Sequence, residues 1–213
     1  MILYALPVST FSAKVRIALQ FKGIDYQMQA PPDGYGSTAY RAIVPMGTIP
    51  AIEHESLIVS ESDTILEYLD EQFPDPPLLP QAPADRARHR FLGRFHDLYL
   101  DPPLRATFRH VAPQQRDEGI VNEQLDRFSA RLQQLESLID PQPFLLGSKF
   151  GMADCAFPAT LVLASLLLPH FGRAFECGPR LDSWLKQVLQ HPAVSPVTEE
   201  SHAATLVWMQ RRT

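Results

Sequence analysis

Three hydroxyls fall within four residues near the start of the chain, at Ser9, Thr10 and Ser12, around the first residue of an apolar periodic segment formed by Phe11, Val15, Ala18 and Leu19. Ser and Thr at such a place are helix N-caps. The unpaired N–H groups of a helix N-terminus also carry partial positive charge. A hydroxyl held there can donate to an anion, so the stretch is equipped to stabilise a negatively charged reacting group. Glu61 and Ser62 repeat the arrangement ahead of a second patterned segment, Ile65, Leu66 and Leu69. There too an anionic group would meet unpaired N–H groups. Cys155 and Cys177 are too few, and wrongly spaced, for a disulfide framework, a zinc site or a redox motif. His170, His191 and His202 have no ligand spacing, and no metal is expected.

The elements that must position these groups are legible in outline. Met1–Leu6 reads as a buried strand closed by Pro7, and the hydroxyl cluster then opens a helix that Gly23 ends. Ile24–Met28 reads as a second strand, and strand, helix, strand favours parallel pairing through a crossover. Residues 31–43, rich in Pro, Gly and small polar residues, read as an irregular loop. Ile49–Pro50 opens a third strand, paired across a turn at His54–Glu55 with Leu57–Val59, and a helix runs from Glu61 to about Phe73. Residues 73–80 carry four prolines and read as a stiff, extended boundary. Helical periodicity follows over about 84–110, 117–139, 152–168 and 179–190, with a looser tail. The expected fold is therefore α+β: residues 1–74 form a βαβ-ββα domain, 75–83 a linker and 84–213 an all-helical domain.

Composition narrows the classes of function. The chain has 213 residues, 45% hydrophobic and 20% charged, with net charge −5. No basic stripe supports nucleic-acid binding. The longest apolar run, Ala159–Pro169, is about half of a ~20-residue membrane span. With no leader-like start, the expectation is a cytoplasmic protein with neither nucleic-acid nor membrane partners.

Five segments in order resemble the cytosolic glutathione S-transferase superfamily over essentially the whole length. The stretch from Ser9 to Leu19 looks like the serine-type start of the first helix in zeta-like members. Pro45-x-Gly47-x-Ile49-Pro50 looks like their cis-proline loop, and Glu61–Ser62 their acidic-Ser pair. Phe144–Gly147 with Ala153–Asp154, and Pro179–Trp184 with His191–Val194, resemble their helical domain. The resemblance implies a thioredoxin-like first domain that holds glutathione as cosubstrate, with no permanently bound cofactor, and an apolar electrophile as the second substrate. Ser9 would activate the thiol, with Thr10 and then Ser12 as alternates. Thr48, Ile49, cis-Pro50, Glu61 and Ser62 would bind the tripeptide. Thr48 stands where relatives often carry Lys or Gln, which leaves the glycyl carboxylate to the 31–43 loop, with Arg41 as candidate. Phe11, Phe95, Tyr99 and Phe108 are candidate walls for the electrophile. Arg86, Arg90 and Arg94 share a face that lines the homodimer interface in relatives. Three alternatives stay open: a non-catalytic interaction or regulatory protein, a glutathione-binding carrier, and a glutathione-dependent isomerase. Against the last, Phe11 replaces the cysteine of the isomerases' Ser-Ser-Cys-Ser start.

Overall fold

The computed structural model describes residues 1–212. Its first part is a four-stranded sheet of order β2-β1-β3-β4, built from β1 (Ile2–Tyr4), β2 (Gln27–Gln29), β3 (Ala51–His54) and β4 (Leu57–Ser60). β1 and β2 are parallel and joined by α1 (Thr10–Lys22), while β3 runs antiparallel to both β1 and β4. The crossover satisfies the parallel pair, which no tight turn could connect. At the β3–β4 turn Glu55 and Ser56 take φ of 49° and 68°. The stretch 31–43 is more ordered than its composition implies, because Thr38–Arg41 forms a short helix, α2, capped by the Ser37 hydroxyl. α3 (Ser62–Gln72) completes this part and packs on α1.

The proline-rich stretch is fastened rather than free. Lys22, buried at the end of α1, donates to the carbonyls of Phe73 and Pro76 and to Asp70. Asp70 in turn accepts from the N–H groups of Leu78 and Leu79. Both leucines sit in an apolar core continuous from the sheet into the helices.

The helical part differs from the periodicity reading in three places, one of them a break at Phe157 that divides the helix expected over 152–168. The single helix expected over 84–110 is broken into α4 (Pro83–Phe95), a π-helical turn over His96–Leu100 and α5 (Asp101–Ala106). Pro102 and Pro103 supply no N–H, so the ladder widens as it meets them. The tail read as loose is a 16-residue helix, α10 (Ser195–Gln210). It packs on α8 and α1 through Val197, Thr198, Ser201 and Thr205, and a buried face made largely of hydroxyl-bearing residues leaves no apolar stripe to read. Between them lie α6 (Glu118–Leu138), α7 (Met152–Ala156), α8 (Pro158–His170) and α9 (Pro179–Val188). Met152–His170 is long and apolar enough to cross a membrane by length and composition, and 78% of that window is buried in the fold.

Asp154 organises the centre of this part. Its carboxylate accepts from the Gly151 and Leu145 N–H groups and from Trp184 Nε1, at 2.9–3.0 Å. Burial pushes its pKa up to about 6 against the lowering effect of those donors. Gly151 cannot return a side-chain cap, and the reason is steric: a Cβ there would lie 2.4 Å from Cε1 of buried His89.

Candidate active site

Strand register gathers the sequence's chemical groups at one edge of the sheet. Tyr4 pairs with Ala51, and Ala51 with Ser60. The end of β1, the start of β3 and the end of β4 are thus adjacent. Ser9 follows the first, Ile49–Pro50 precedes the second and Glu61–Ser62 follows the third. With neighbouring strands about 4.8 Å apart, β1 to β4 spans roughly 10 Å.

At the β1 end, Ser9 is the N-cap of α1, and its Oγ accepts from the Ser12 N–H at 3.2 Å. A hydroxyl oxygen used as acceptor still has a proton to donate. The other two hydroxyls of the cluster are placed differently. Thr10 donates to Asp101 at 3.3 Å and accepts from Arg105 Nη2 at 3.2 Å, and it is buried. Ser12 is fully buried, with its Oγ unpartnered. Only Ser9 borders open space.

That space is a cavity of about 350 Å³ between the sheet edge and the helices. Leu6, Val8, Ser9, Phe11, Thr48 and Ile49 line one side. Arg105, Phe108, Leu163 and Trp208 line the other, and Tyr35 stands at the rim, 67% exposed. Phe11 and Phe108 therefore line this cavity, and Phe95 and Tyr99 do not. Phe95 is buried in the core, and Tyr99 faces outward under the Arg131 guanidinium, 5.5 Å from its ring. Spacing along one apparent helix over 84–110 does not hold here, because the π turn that follows Phe95 interrupts it. Val8, Leu163, Arg105 and Trp208 carried no motif; only Asp101 and Arg105, four apart, were readable as an intrahelical pair.

At the β3 end, Ile49–Pro50 is cis. Ile49 makes no main-chain hydrogen bond to the described residues, so its N–H and C=O are open to an added strand. The loop ahead of it is rigidly tied. Tyr40, buried, donates to the Thr48 carbonyl at 3.0 Å, and burial together with Tyr4 pushes its phenol up to about 12, which keeps it a donor. Gly47 (φ 68°) accepts from the Gly36 N–H at 2.8 Å, and a Cβ there would press on Gly36 and Arg41. Arg41 is braced against this loop, Nε donating to the Gly36 carbonyl and Nη1 to those of Pro45 and Met46, while Nη2 makes no hydrogen bond to the described residues.

At the β4 end, Glu61 caps α3 with φ 71° and ψ 120°, without a side-chain cap bond. A non-glycine residue there costs about 1–3 kcal/mol, and such outliers cluster at ligand sites. The first N–H groups of α3 are left for another acceptor. Asp63 does not serve the helix dipole: its carboxylate turns inward to Lys14. Lys14, fully buried, also binds Asp97, whose other contact is His96 Nδ1 at 2.6 Å, and His96 Nε2 meets Thr160 Oγ1 at 2.7 Å. Burial raises the Asp97 carboxyl, but the His96 hydrogen bond and the Lys14 charge outweigh it and hold the group below its ordinary value. This chain of polar contacts ties α1 and α3 to the π turn after α4 and to α8.

Comparison with known proteins identifies the family. The family described as "Glutathione S-transferase, N-terminal domain" matches residues 3–77, and "Glutathione S-transferase, C-terminal domain" matches residues 113–187. The chain is 32% identical to a maleylacetoacetate isomerase of Pseudomonas aeruginosa over 95% of each protein. It is 30% identical to a stringent starvation protein A homolog of Coxiella burnetii, over 81% of this chain and 78% of that one. Among solved structures, a holo maleyl pyruvate isomerase, described as a bacterial zeta-class glutathione S-transferase, superposes with TM-score 0.77 at 25% identity, covering 94% of this chain and 98% of the other. A tau-class glutathione S-transferase from mango gives TM-score 0.80 at 26% identity over 97% of each.

Proposed function

The chain belongs to the cytosolic glutathione S-transferase superfamily, and from that premise we propose that it is a glutathione transferase whose Ser9 activates the thiol. The observation that carries the reading is the Ser9 hydroxyl, at the N-terminus of α1 and bordering a mostly apolar cavity. A thiol of ordinary pKa about 8.5 must be lowered to attack at neutral pH, and two units correspond to about 2.7 kcal/mol. A donated hydroxyl proton and the helix dipole together supply an effect of that size. An extended tripeptide spans about 10 Å, which matches the span from the β1 edge to the α3 N-terminus. In that pose Ile49 pairs with the cysteinyl main chain, Ser62 and the α3 N–H groups hold the γ-glutamyl carboxylate, and Glu61 accepts from its ammonium. Thr48 lies nearest the glycyl end. The thiolate attacks an electrophilic carbon in the space walled by Phe11, Phe108, Leu163 and Trp208.

The domain division at 75–83, a cytoplasmic location and a homodimer accompany this reading. For the dimer, Phe91 and Leu98, 49% and 58% exposed along α4 and its π turn, are apolar surface that a second copy would cover. Arg90 is already paired with Glu67 at 3.0 Å, which leaves Arg86 and Arg94 for contacts across it.

A glutathione-dependent isomerase is the second reading, favoured by the identity to the Pseudomonas protein. The fold hosts more than one function, and the Coxiella relative's name describes no transferase. Titration of the protein with reduced glutathione, calorimetrically and beside Ser62→Ala, tests the site. We expect binding in the micromolar to low-millimolar range, weakened about tenfold in the variant by loss of a charge-assisted hydrogen bond. No heat up to several millimolar would remove the transferase and isomerase readings together. Product analysis separates those two, since a transferase consumes glutathione and an isomerase returns it.

A further inference from the structure

α7 begins without a side chain of its own to cap it. Gly151 stands at its N-cap, yet the first three N–H groups all have acceptors, two of them from elsewhere in the fold. Met152 donates to the Leu78 carbonyl of the proline-rich stretch at 2.8 Å, and Asp154 to the Gly151 carbonyl at 3.0 Å. Ala153 donates at 3.3 Å to Nδ1 of His89, which reaches over from α4. The side chain of an N-cap Ser, Thr, Asn or Asp ordinarily accepts at such an N–H. Here an imidazole from another helix does so, and the missing Cβ of Gly151 leaves it the room.

A backbone N–H can only donate, so Nδ1 is the acceptor and the neutral ring carries its proton on Nε2. The ring lines a groove of about 880 Å³, and Nε2 makes no hydrogen bond to the described residues. Protonation of Nδ1 turns the acceptor into a second donor and sets two N–H groups face to face, with a positive charge on one of them. A hydroxyl cap has no such weakness near neutral pH.

The charges around the ring do not hold it protonated. Asp85, one turn earlier on α4, favours the cation, but burial outweighs it and moves His89 below its ordinary value. Across the groove, Asp70 of α3 is engaged by Lys22 and by the N–H groups of Leu78 and Leu79. Glu71, Asp75, Arg86 and Lys149 lie along the outer walls, two charges of each sign. Asp154, on α7 itself, turns its carboxylate to Leu145, Gly151 and Trp184. The stability that neutral His89 contributes is present above the unfolded value of about 6.5 and is lost as pH falls through the folded value. Asp154 has the opposite sign: with its value raised to about 6, it favours the fold as pH falls.

We propose that His89 is a titratable cap supplied in trans to α7, a latch between α4 and α7 that acid releases. What it steadies is a junction, because the neighbouring N–H holds the proline-rich stretch through Leu78 and α7 packs on both α1 and α4. The latch does not depend on what the cavity at Ser9 binds.

Amide hydrogen exchange, followed by NMR and expressed as protection over the intrinsic chemical rate, reads the latch at Ala153. The comparison is with His89→Asn, whose carboxamide oxygen replaces Nδ1 as acceptor and does not titrate. Asp154 is present in both proteins, so the ratio of wild-type to variant protection isolates the imidazole. That ratio falls about tenfold from pH 7 to pH 5, under a ceiling of about 25-fold set by an opened-state value of about 6.5. A ratio that does not change with pH overturns the proposal. So does a neutral wild-type ring that carries its proton on Nδ1 in NMR spectra of the ring nitrogens. Should His89→Asn not fold, the double variant His89→Ala with Gly151→Ser decides, since the serine installs a hydroxyl cap in the space the ring leaves. The double variant is more stable than either single one, and its Ala153 protection loses the wild-type fall toward pH 5. Additive losses of stability, or an undiminished fall, refute the latch.

Discussion

A serine that caps a helix and a serine that activates a thiol make different demands on one oxygen, and Ser9 can meet both. Its Oγ lone pair takes the Ser12 N–H while the hydroxyl proton remains for the sulfur. Thr10 has no such freedom, since its proton goes to Asp101. Thr10→Val is therefore expected to leave the pH dependence of glutathione conjugation unshifted while lowering stability by about 1 kcal/mol, the usual size of a lost hydrogen bond. A shift of the conjugation profile toward higher pH in that variant would move the activating role to Thr10. A second residue-scale expectation runs against capping preference. Gly151→Ser installs a better N-cap by residue type, yet its Cβ would collide with His89. Denaturant unfolding should show a loss of about 1–3 kcal/mol, the cost of overpacking. At this scale the sequence marked Ser9, Ile49, Pro50, Glu61 and Ser62 through short motifs and the resemblance they carry, and strand register brings these positions to one edge of the sheet. The sequence was silent on Arg105, Leu163 and Trp208, because residues that meet only through tertiary packing leave no mark in spacing.

Among the elements, α1 does most of the joining. It carries Lys14 and Lys22, both buried; one ties α3 to the π turn after α4, the other holds the proline-rich stretch. Removing one partner of a buried charge pair leaves the other uncompensated. The Asp97 carboxyl is held below its ordinary value, so its stabilising contribution is present above the unfolded value of about 3.9 and is lost as pH falls through the folded value. Urea unfolding followed from pH 7 to pH 3 should therefore show wild type losing stability below about pH 4 more steeply than Asp97→Asn. The variant should also be less stable at pH 7 by about 1–3 kcal/mol. Parallel curves for the two would show that Asp97 does not carry the linkage. The element boundaries that spacing missed share a cause. α4, the π turn and α5 read as one helix because apolar periodicity persisted across Pro102–Pro103. α10 read as loose because Thr198, Ser201 and Thr205 occupy its buried face.

For the molecule as a whole, the site exists because three strand ends share one edge and the helices close over it. The strand-helix-strand, strand-strand-helix order was visible in the sequence, and the sheet order β2-β1-β3-β4 with its register then brings the segments of Ser9, Ile49 and Ser62 together. The cavity's far wall was not visible, since it draws on α5, the short turn at Phe108, α8 and α10. The central role falls to Ser9, which in the proposed function lowers the pKa of bound glutathione. The direct measurement is ultraviolet titration of the thiolate in the complex, for wild type and Ser9→Ala, each at a glutathione concentration that saturates it. The expected result is a wild-type midpoint one to two units below the ordinary value of about 8.5 and a variant midpoint close to that value. Equal midpoints in the two proteins, with glutathione bound to both, would contradict it.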